Sequence, residues 1–300
     1  MGKNAIEIES LKFAYGRNEV LKGVDLEVPQ GSIFGFLGRN GAGKTTTIKL
    51  LLGLLKPRAG ACRIQGINPQ NDEIAVRRTV GYMAEDQQMY GWMRIGQIVK
   101  WVGSFYPGWD DKLTNQLLDM LELPTKSKVK TLSKGQNSRL ALLLALGHKP
   151  KVVILDDPTL GLDPIARKDF LRHVIELLQT NGVTVFFSSH LLYEIEPVAD
   201  HVAILDNGVI IKAAKTELLR ESVRKFILCP KPEADLSSIA PVLDVVRSGE
   251  NVSVTIEDCD EQKRAAIKEM ASNTATETGL NLDEIFEAYV IGNKGKAVKV

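Results

Sequence analysis

The residues from Gly38 to Thr45 carry the clearest chemistry in the sequence, because they fit the pattern G-x-x-x-x-G-K-[ST]. A glycine-rich turn brings backbone N–H groups close to phosphate oxygens, a lysine reaches the outer phosphates, and a threonine hydroxyl can bind Mg²⁺. The sequence therefore predicts a site for a nucleoside triphosphate and Mg²⁺. We expect Lys44, as a loop residue, to supply affinity and no core packing. The predicted phosphate-binding residues are Gly38, Arg39, Asn40, Gly41, Ala42, Gly43, Lys44, Thr45 and Thr46.

Two adjacent carboxylates, Asp156 and Asp157, follow the apolar run Val152–Leu155. A buried strand that ends in a carboxylate is how phosphate-loop enzymes hold Mg²⁺. We therefore predict that Asp156 binds the metal, directly or through water, and that Asp157 faces the water that attacks the γ-phosphate. The alternative interpretation is that Asp-Asp-Pro only marks a turn.

Strands and helices must position these groups. Apolar runs at 33–37, 152–155 and 183–187 predict strands, and Pro164 opens a predicted helix that ends near residue 178. Residues 72–147 have mostly helical character. Alternation of strands and helices predicts an α/β fold with a largely parallel sheet.

The character of the sequence changes after about residue 215. A strand is predicted at 252–256 and a charged helix near 260–270. We expect residues 1–222 to form one domain and residues 223–300 a small α+β appendage.

Composition narrows the possible functions. The formal net charge of +1 argues against a nucleic-acid partner. Three scattered cysteines predict neither a disulfide framework nor a zinc site and are typical of a reducing compartment. No signal-like segment opens the sequence, and no apolar run approaches the ~20 residues of a membrane span, so we expect membrane association only through a partner.

Three further motifs narrow the class of phosphate-loop protein. They are Ser133-Lys134-Gly135-Gln136, the run from Asp156 to Asp163, and Ser188-Ser189-His190. With the phosphate loop they resemble, in order, the ATP-binding cassette (ABC) family, the ATPase subunits of ABC transporters. The resemblance spans residues 5–222. It implies a phosphate-loop ATPase core of mixed or parallel sheet and helices, with an antiparallel β subdomain and a helical subdomain at about 85–147.

The resemblance also assigns roles to individual residues. It implies that Ser133, Gly135 and Gln136 cap the γ-phosphate held by the opposite subunit, with Lys134 replacing a glycine of the family signature. It implies that His190 contacts the γ-phosphate. Tyr15 matches the aromatic residue that stacks on adenine, although an aromatic residue near a strand end can equally belong to the core.

Two positions depart from the family pattern. Glu85 stands near the place of a glutamine that contacts Mg²⁺, so we expect it to act as a metal ligand or in catalysis, with Gln87 or Gln88 as alternatives. Asp157 replaces the usual catalytic glutamate and is one methylene shorter. A misplacement of about 1 Å can cost about 10²-fold in rate, so the departure predicts slow turnover unless the backbone has shifted to compensate.

Aromatic residues crowd the segment after Glu85. In the resemblance this region receives a helix of the transmembrane subunit, whereas the alternative is that the rings build the core of the helical subdomain. We expect Tyr90, Trp92 and Met93 to be exposed. Trp101 and Phe105, at i and i+4 on one helix face, are expected to belong to the core.

The resemblance implies an ATP-hydrolysing subunit that drives a separate permease at the cytoplasmic face of the membrane, paired with a second ATPase chain as a homodimer or heterodimer. The tail around 282–286 is similar to that of bacterial exporters and favours export. The alternatives are a soluble ABC ATPase without a permease and an ATP-gated regulatory subunit with slow turnover, which Asp157 favours.

Overall fold

A computed structural model describes residues 3–179, 182–189, 195–234, 236, 239 and 241–292. The chain forms two compact units, one of residues 1–190 and 198–213 and the other of residues 191–197 and 214–300. The expected domain boundary at residue 222 falls instead at the end of a helix of the second unit.

A six-stranded sheet forms the centre of the first unit, with strand order β5-β6-β7-β3-β8-β9. The first five strands of this order pair in parallel. Their carboxyl ends therefore meet at one edge, where the phosphate loop follows β3. The strands are β3 (Ile33–Leu37), β5 (Val80–Met83), β6 (Val152–Asp156), β7 (Thr184–Ser189), β8 (His201–Asp206) and β9 (Val209–Lys215).

A separate antiparallel sheet of order β2-β1-β4 completes the β structure of this unit. Its strands are β1 (Asn4–Tyr15), β2 (Asn18–Pro29) and β4 (Ala59–Ile64). Their alternating apolar residues join the main core, in which Leu21, Phe36 and Ile154 are fully buried. The parallel sheet with its antiparallel companion confirms the predicted fold class.

Helices of the first unit include a group between β5 and β6. The helices within the described ranges are α1 (Lys44–Leu51), α2 (Glu73–Thr79), α3 (Ile95–Gly103), α4 (Asp111–Met120), α5 (Lys134–Leu146) and α6 (Pro164–Gln179), and a short 3₁₀ turn covers Val129–Thr131. Within the mostly helical stretch 72–147, β5 was not predicted. It is four residues long and owes its conformation to pairing with β6.

The second unit is an antiparallel sheet of order β11-β12-β10-β13 with helices. Phe226, Val254 and Ile267 lie in its own buried core. Its elements are α7 (Thr216–Ser222), β10 (Arg224–Leu228), β11 (Val242–Ser248), β12 (Asn251–Ile256), α8 (Glu261–Met270), β13 (Thr276–Gly279) and α9 (Leu282–Val290). Over the described ranges, neither unit has a helix long and apolar enough to cross a membrane.

Candidate functional site at the carboxyl edge of the sheet

The phosphate loop joins β3 to α1, and two of its glycines are sterically required. A Cβ on Gly38 would lie 2.6 Å from the carbonyl oxygen of Leu205. Gly43 has φ of +115°, and a Cβ there would lie 2.7 Å from Leu21 Cδ2. No other residue fits these positions without movement of the backbone or core. Three loop residues lie exposed at its tip, and they are Arg39, Asn40 and Gly41. The buried residues of the predicted phosphate-binding set are Gly38, Ala42, Gly43, Lys44 and Thr46, and Thr45 is half-buried.

Lys44 is enclosed by the loop that it follows. Its Nζ donates a hydrogen bond to the Gly38 carbonyl oxygen at 2.9 Å and lies 3.6 Å from Asp157 Oδ2. Its side chain is only 5% exposed. The expectation that Lys44 takes no part in packing is therefore wrong: its side chain is buried and its ammonium is an ion-pair partner of Asp157.

Asp156 is fully buried at the end of β6. Its Oδ1 accepts hydrogen bonds from Ser188 Oγ at 2.7 Å and from Thr45 Oγ1 at 3.3 Å. Its Oδ2 is buried without a hydrogen-bond partner among the described residues. Burial raises the pKa of Asp156, while the two hydroxyl hydrogen bonds lower it. A carboxylate oxygen left unpaired beside a threonine hydroxyl fits Mg²⁺, which prefers oxygen ligands.

Ser188 is a site residue for which the sequence analysis proposed no role. It lies directly opposite Asp156 in the parallel pairing of β6 with β7. The signal for this contact would have been that two neighbouring parallel strands each end in polar residues, which places Ser188 next to Asp156.

Asp157 begins the loop after β6 in an unusual backbone conformation. Its φ is +43°, a left-handed value that aspartate tolerates better than most residues. Its N–H donates to the Ser188 carbonyl oxygen at 3.1 Å, which holds Asp157 against β7. The carboxylate faces Lys44, so the two predicted acidic residues diverge: Asp156 faces Thr45 and Asp157 faces the lysine.

Glu85 lies two residues beyond β5 and is exposed. Since β5 pairs with β6, Glu85 follows the strand next to Asp156. Burial raises the pKa of Tyr82, and the charges of Asp156 and Glu85 raise it further. Of the alternatives, the Gln87 carbonyl oxygen accepts a bond from Asn137 at 3.4 Å, and Gln88 is exposed. His190, the predicted γ-phosphate contact, lies outside the described residues.

Tyr15 ends β1 and is 49% exposed, so it is not a core residue. Its ring meets Phe13 edge to face, with the ring centroids 4.9 Å apart. Phe13 is buried and supports Tyr15 from one side.

The Ser133–Gln136 motif forms the start of α5. Ser133 Oγ accepts a hydrogen bond from the Gln136 N–H at 3.2 Å, and Gln136 Oε1 accepts one from the Ser133 N–H at 3.1 Å. This reciprocal pair caps the helix and leaves its positive end facing a cleft of about 600 Å³. The cleft is lined by Ser133, Lys134, Gly135, Gln136, Arg139, Gly161, Leu162, Asp163 and Ala166.

Four aromatic residues form a continuous aromatic surface: Tyr90, Trp92, Trp101 and Phe105. Tyr90 contacts Trp92 and Trp101, and Trp101 contacts Phe105, with centroid distances of 6.1, 5.1 and 5.0 Å. Trp92 is 69% and Phe105 61% exposed. Met93 is buried, so its predicted exposure is wrong, because the side chain turns inward just before α3.

Comparisons with known proteins agree with this geometry. A family model described as ABC transporter matches residues 21–160. A second, described as "AAA domain, putative AbiEii toxin, Type IV TA system", matches residues 126–196. The chain is 33% identical to the ABC transporter ATP-binding protein YdbJ of Bacillus subtilis, over 78% of this chain and 76% of the relative. It is 35% identical to the bacitracin transport ATP-binding protein BcrA of Bacillus licheniformis, over 74% and 73% respectively.

A solved structure described as the ATP-binding subunit of an ABC transporter superposes with a TM-score of 0.65 at 29% identity, over 72% of this chain and 92% of that one. The fold and site thus define a phosphate-loop ATPase. The chain belongs to the family of ABC transporter ATP-binding proteins. It binds and hydrolyses ATP as the ATP-binding subunit of a transporter.

Proposed function

We propose that the chain hydrolyses Mg-ATP in a head-to-tail dimer and so drives export by a separate membrane permease, at the cytoplasmic face of the membrane. The observation that carries the proposal is the cluster at one edge of the sheet. There the Lys44 ammonium lies 3.6 Å from Asp157 Oδ2. The Asp156 carboxylate accepts a hydrogen bond from the Thr45 hydroxyl through Oδ1, and its buried Oδ2 has no partner among the described residues.

Thr45 and Asp156 would hold Mg²⁺, with Glu85, beyond the end of the neighbouring strand β5, as a further oxygen donor. When bound, the metal neutralises charge on the β- and γ-phosphates. Lys44 binds the same phosphates and in doing so exchanges its contact with Asp157 for one with the nucleotide. The Asp157 carboxylate then accepts a proton from the attacking water.

The second half of the site comes from another chain. The capped start of α5 is an anion site by its N–H groups and dipole, and Ser133, Gly135 and Gln136 bind the γ-phosphate of the opposite subunit there. One chain carries both halves, so two copies in C₂ symmetry complete two sites. A heterodimer with a sister ATPase uses the same surfaces. Tyr15 stacks on adenine, and His190 contacts the γ-phosphate.

The aromatic surface supports a permease partner, because exposed aromatic side chains are enriched at the cores of protein interfaces. Export is supported by relatives named for bacitracin transport, linearmycin resistance and lantibiotic transport. The short Asp157 side chain favours a second candidate, an ATP-gated regulatory subunit with slow turnover.

Steady-state ATPase measurements on the full chain, alone and co-expressed with a candidate multi-span permease, separate the two candidates. We expect measurable hydrolysis that rises when the membrane protein is present. The Lys44→Ala variant is the background control. Nucleotide-dependent dimers without turnover under either condition would favour the regulatory function.

A further inference from the structure

Lys134 replaces a glycine of the family signature, and nothing local explains it. It lies in the first turn of α5, where a positive charge opposes the helix dipole. Over the described ranges, its ammonium has neither a hydrogen bond nor an ion pair. Helix stability therefore does not account for a lysine at position 134. Its role must be inferred from the contacts of its side chain.

The outer half of the Lys134 side chain lies across Gly161. A Cβ placed on Gly161 would lie 3.0 Å from Lys134 Nζ, 3.7 Å from its Cδ and 3.9 Å from its Cε. Gly161 has φ of +75°, a conformation that favours glycine. A bare α-carbon in this conformation is what lets the lysine lie so close to the loop.

Gly161 belongs to a tightly bonded loop that begins at Asp157. The Leu160 N–H donates to the Asp157 carbonyl oxygen at 3.1 Å, and the Leu162 N–H donates to the Thr159 carbonyl oxygen at 3.1 Å. Leu162 is buried, which anchors the loop next to Gly161. Two successive backbone turns thus connect Gly161 to Asp157.

We propose that Lys134 is a positioning residue for ATP hydrolysis: its side chain holds the loop at Gly161 and thereby fixes Asp157. The inference rests on the proposed function, in which Asp157 is the base. It gives this chain an internal link between the turn that faces the partner's nucleotide and the carboxylate that serves its own.

The first test compares Lys134→Gly with Lys134→Met, because methionine keeps atoms at the places of Cδ and Cε and removes only the ammonium. In steady-state ATPase of the full chain, we expect Lys134→Gly to lower kcat about tenfold with KM within about twofold, since small misplacements of a catalytic group cost up to about 10²-fold. We expect Lys134→Met to keep at least about half of the wild-type kcat. If both variants raise KM alike, the ammonium contacts nucleotide and the positioning role is wrong.

The second test is a double-mutant cycle with Gly161→Ala, which places a methyl group against the lysine. We expect this substitution to lower kcat at least threefold more in the wild-type background than in Lys134→Gly, because the contact is absent from the latter. Additive effects would overturn the inference.

Asp157→Asn in the same assay separates the two proposals. If it is inactive while both Lys134 variants match the wild type, the base remains and only the positioning role fails. If it is as active as the wild type, the base itself is wrong.

Discussion

At the scale of single residues, the buried contact between Lys44 and Asp157 links the phosphate loop to the charge of a buried carboxylate. The lysine that binds phosphate also neutralises a carboxylate that is 7% exposed. In the proposed mechanism, the same pair neutralises a buried carboxylate without nucleotide and exchanges partners when nucleotide binds.

Lys44→Ala should reduce ATP affinity by about 10–100-fold, because a charge-assisted phosphate contact is worth about 1.5–3 kcal/mol. It should also lower the free energy of unfolding without nucleotide by about 1–3 kcal/mol, since Asp157 keeps a buried charge that has lost its cation. Equilibrium nucleotide titration and thermal unfolding measure the two effects.

Lys49→Ala is the matched control for Lys44→Ala, because it removes the same charge from the same helix. Adding Asp157→Asn to Lys44→Ala should recover part of the lost stability, as the uncompensated charge is removed. Unchanged ATP affinity of Lys44→Ala would show that the phosphate site is wrongly assigned.

Turnover should depend on the length and charge of the side chain at position 157. Asp157→Asn should lower kcat at least about 10²-fold, because an amide cannot accept a proton, and ATP-bound dimers should accumulate. Asp157→Glu should raise kcat, because the added methylene brings the carboxylate nearer to the water. Steady-state ATPase of the three proteins decides between them.

A lower rate for Asp157→Glu would mean that the left-handed backbone at Asp157 already compensates for the short side chain. Wild-type activity in Asp157→Asn would leave catalysis to Glu85 or His190.

Residues close in sequence were predicted well, and contacts distant in sequence were not. The spacing from Gly38 to Thr45 fixed the phosphate loop because its turn and helix start are local. The Ser188–Asp156 hydrogen bond spans 32 residues and depends on which strands become neighbours in the sheet. The i, i+4 spacing of Trp101 and Phe105 predicted a shared, core-facing side of one helix, and this prediction is wrong. The two rings do meet, but α3 ends at Gly103 before Phe105, and both side chains are exposed.

At the scale of elements, the start of α5 combines a complete cap with an open cleft. The cap satisfies Ser133 and Gln136 within the helix itself, so the motif is already ordered in the single chain. A Cβ on Gly135 would meet Ala166 Cβ at 3.7 Å, an ordinary contact. A side chain can therefore be added there without a clash with the protein's own atoms.

Gly135→Asp should abolish ATP-induced dimerisation while leaving ATP binding by the monomer intact. Its carboxylate would face the γ-phosphate of the opposite subunit, whereas within one chain an acidic residue near a helix start is favourable. Sedimentation with and without ATP measures the dimer. Gly135→Asn is the control of equal size, and it should dimerise better than Gly135→Asp. Normal ATP-dependent dimers of Gly135→Asp would contradict the assigned role of the signature.

At the scale of the whole molecule, the chain has separate cores in its two units. The described strands of the second unit form one sheet of order β11-β12-β10-β13. The nucleotide-binding residues that are described all belong to the first unit.

A chain truncated after residue 213 should bind ATP with an affinity within about threefold of the full chain, because the removed residues supply none of the described site. It should also unfold in one cooperative transition, since the first core is retained. Nucleotide titration and calorimetry test both statements. A truncated chain that fails to unfold cooperatively would show that residues 214–300 are needed for the first unit to fold.

The aromatic surface also equips the protein with its own optical probe. All three tryptophans lie between residues 92 and 109. Trp92 and Trp101 are 69% and 41% exposed, whereas the Trp109 indole nitrogen is buried. Intrinsic fluorescence excited at the tryptophan band therefore comes entirely from this one segment. Burial of the two exposed indoles by a partner should shift the emission to shorter wavelength, so the unlabelled subunit can signal its own assembly.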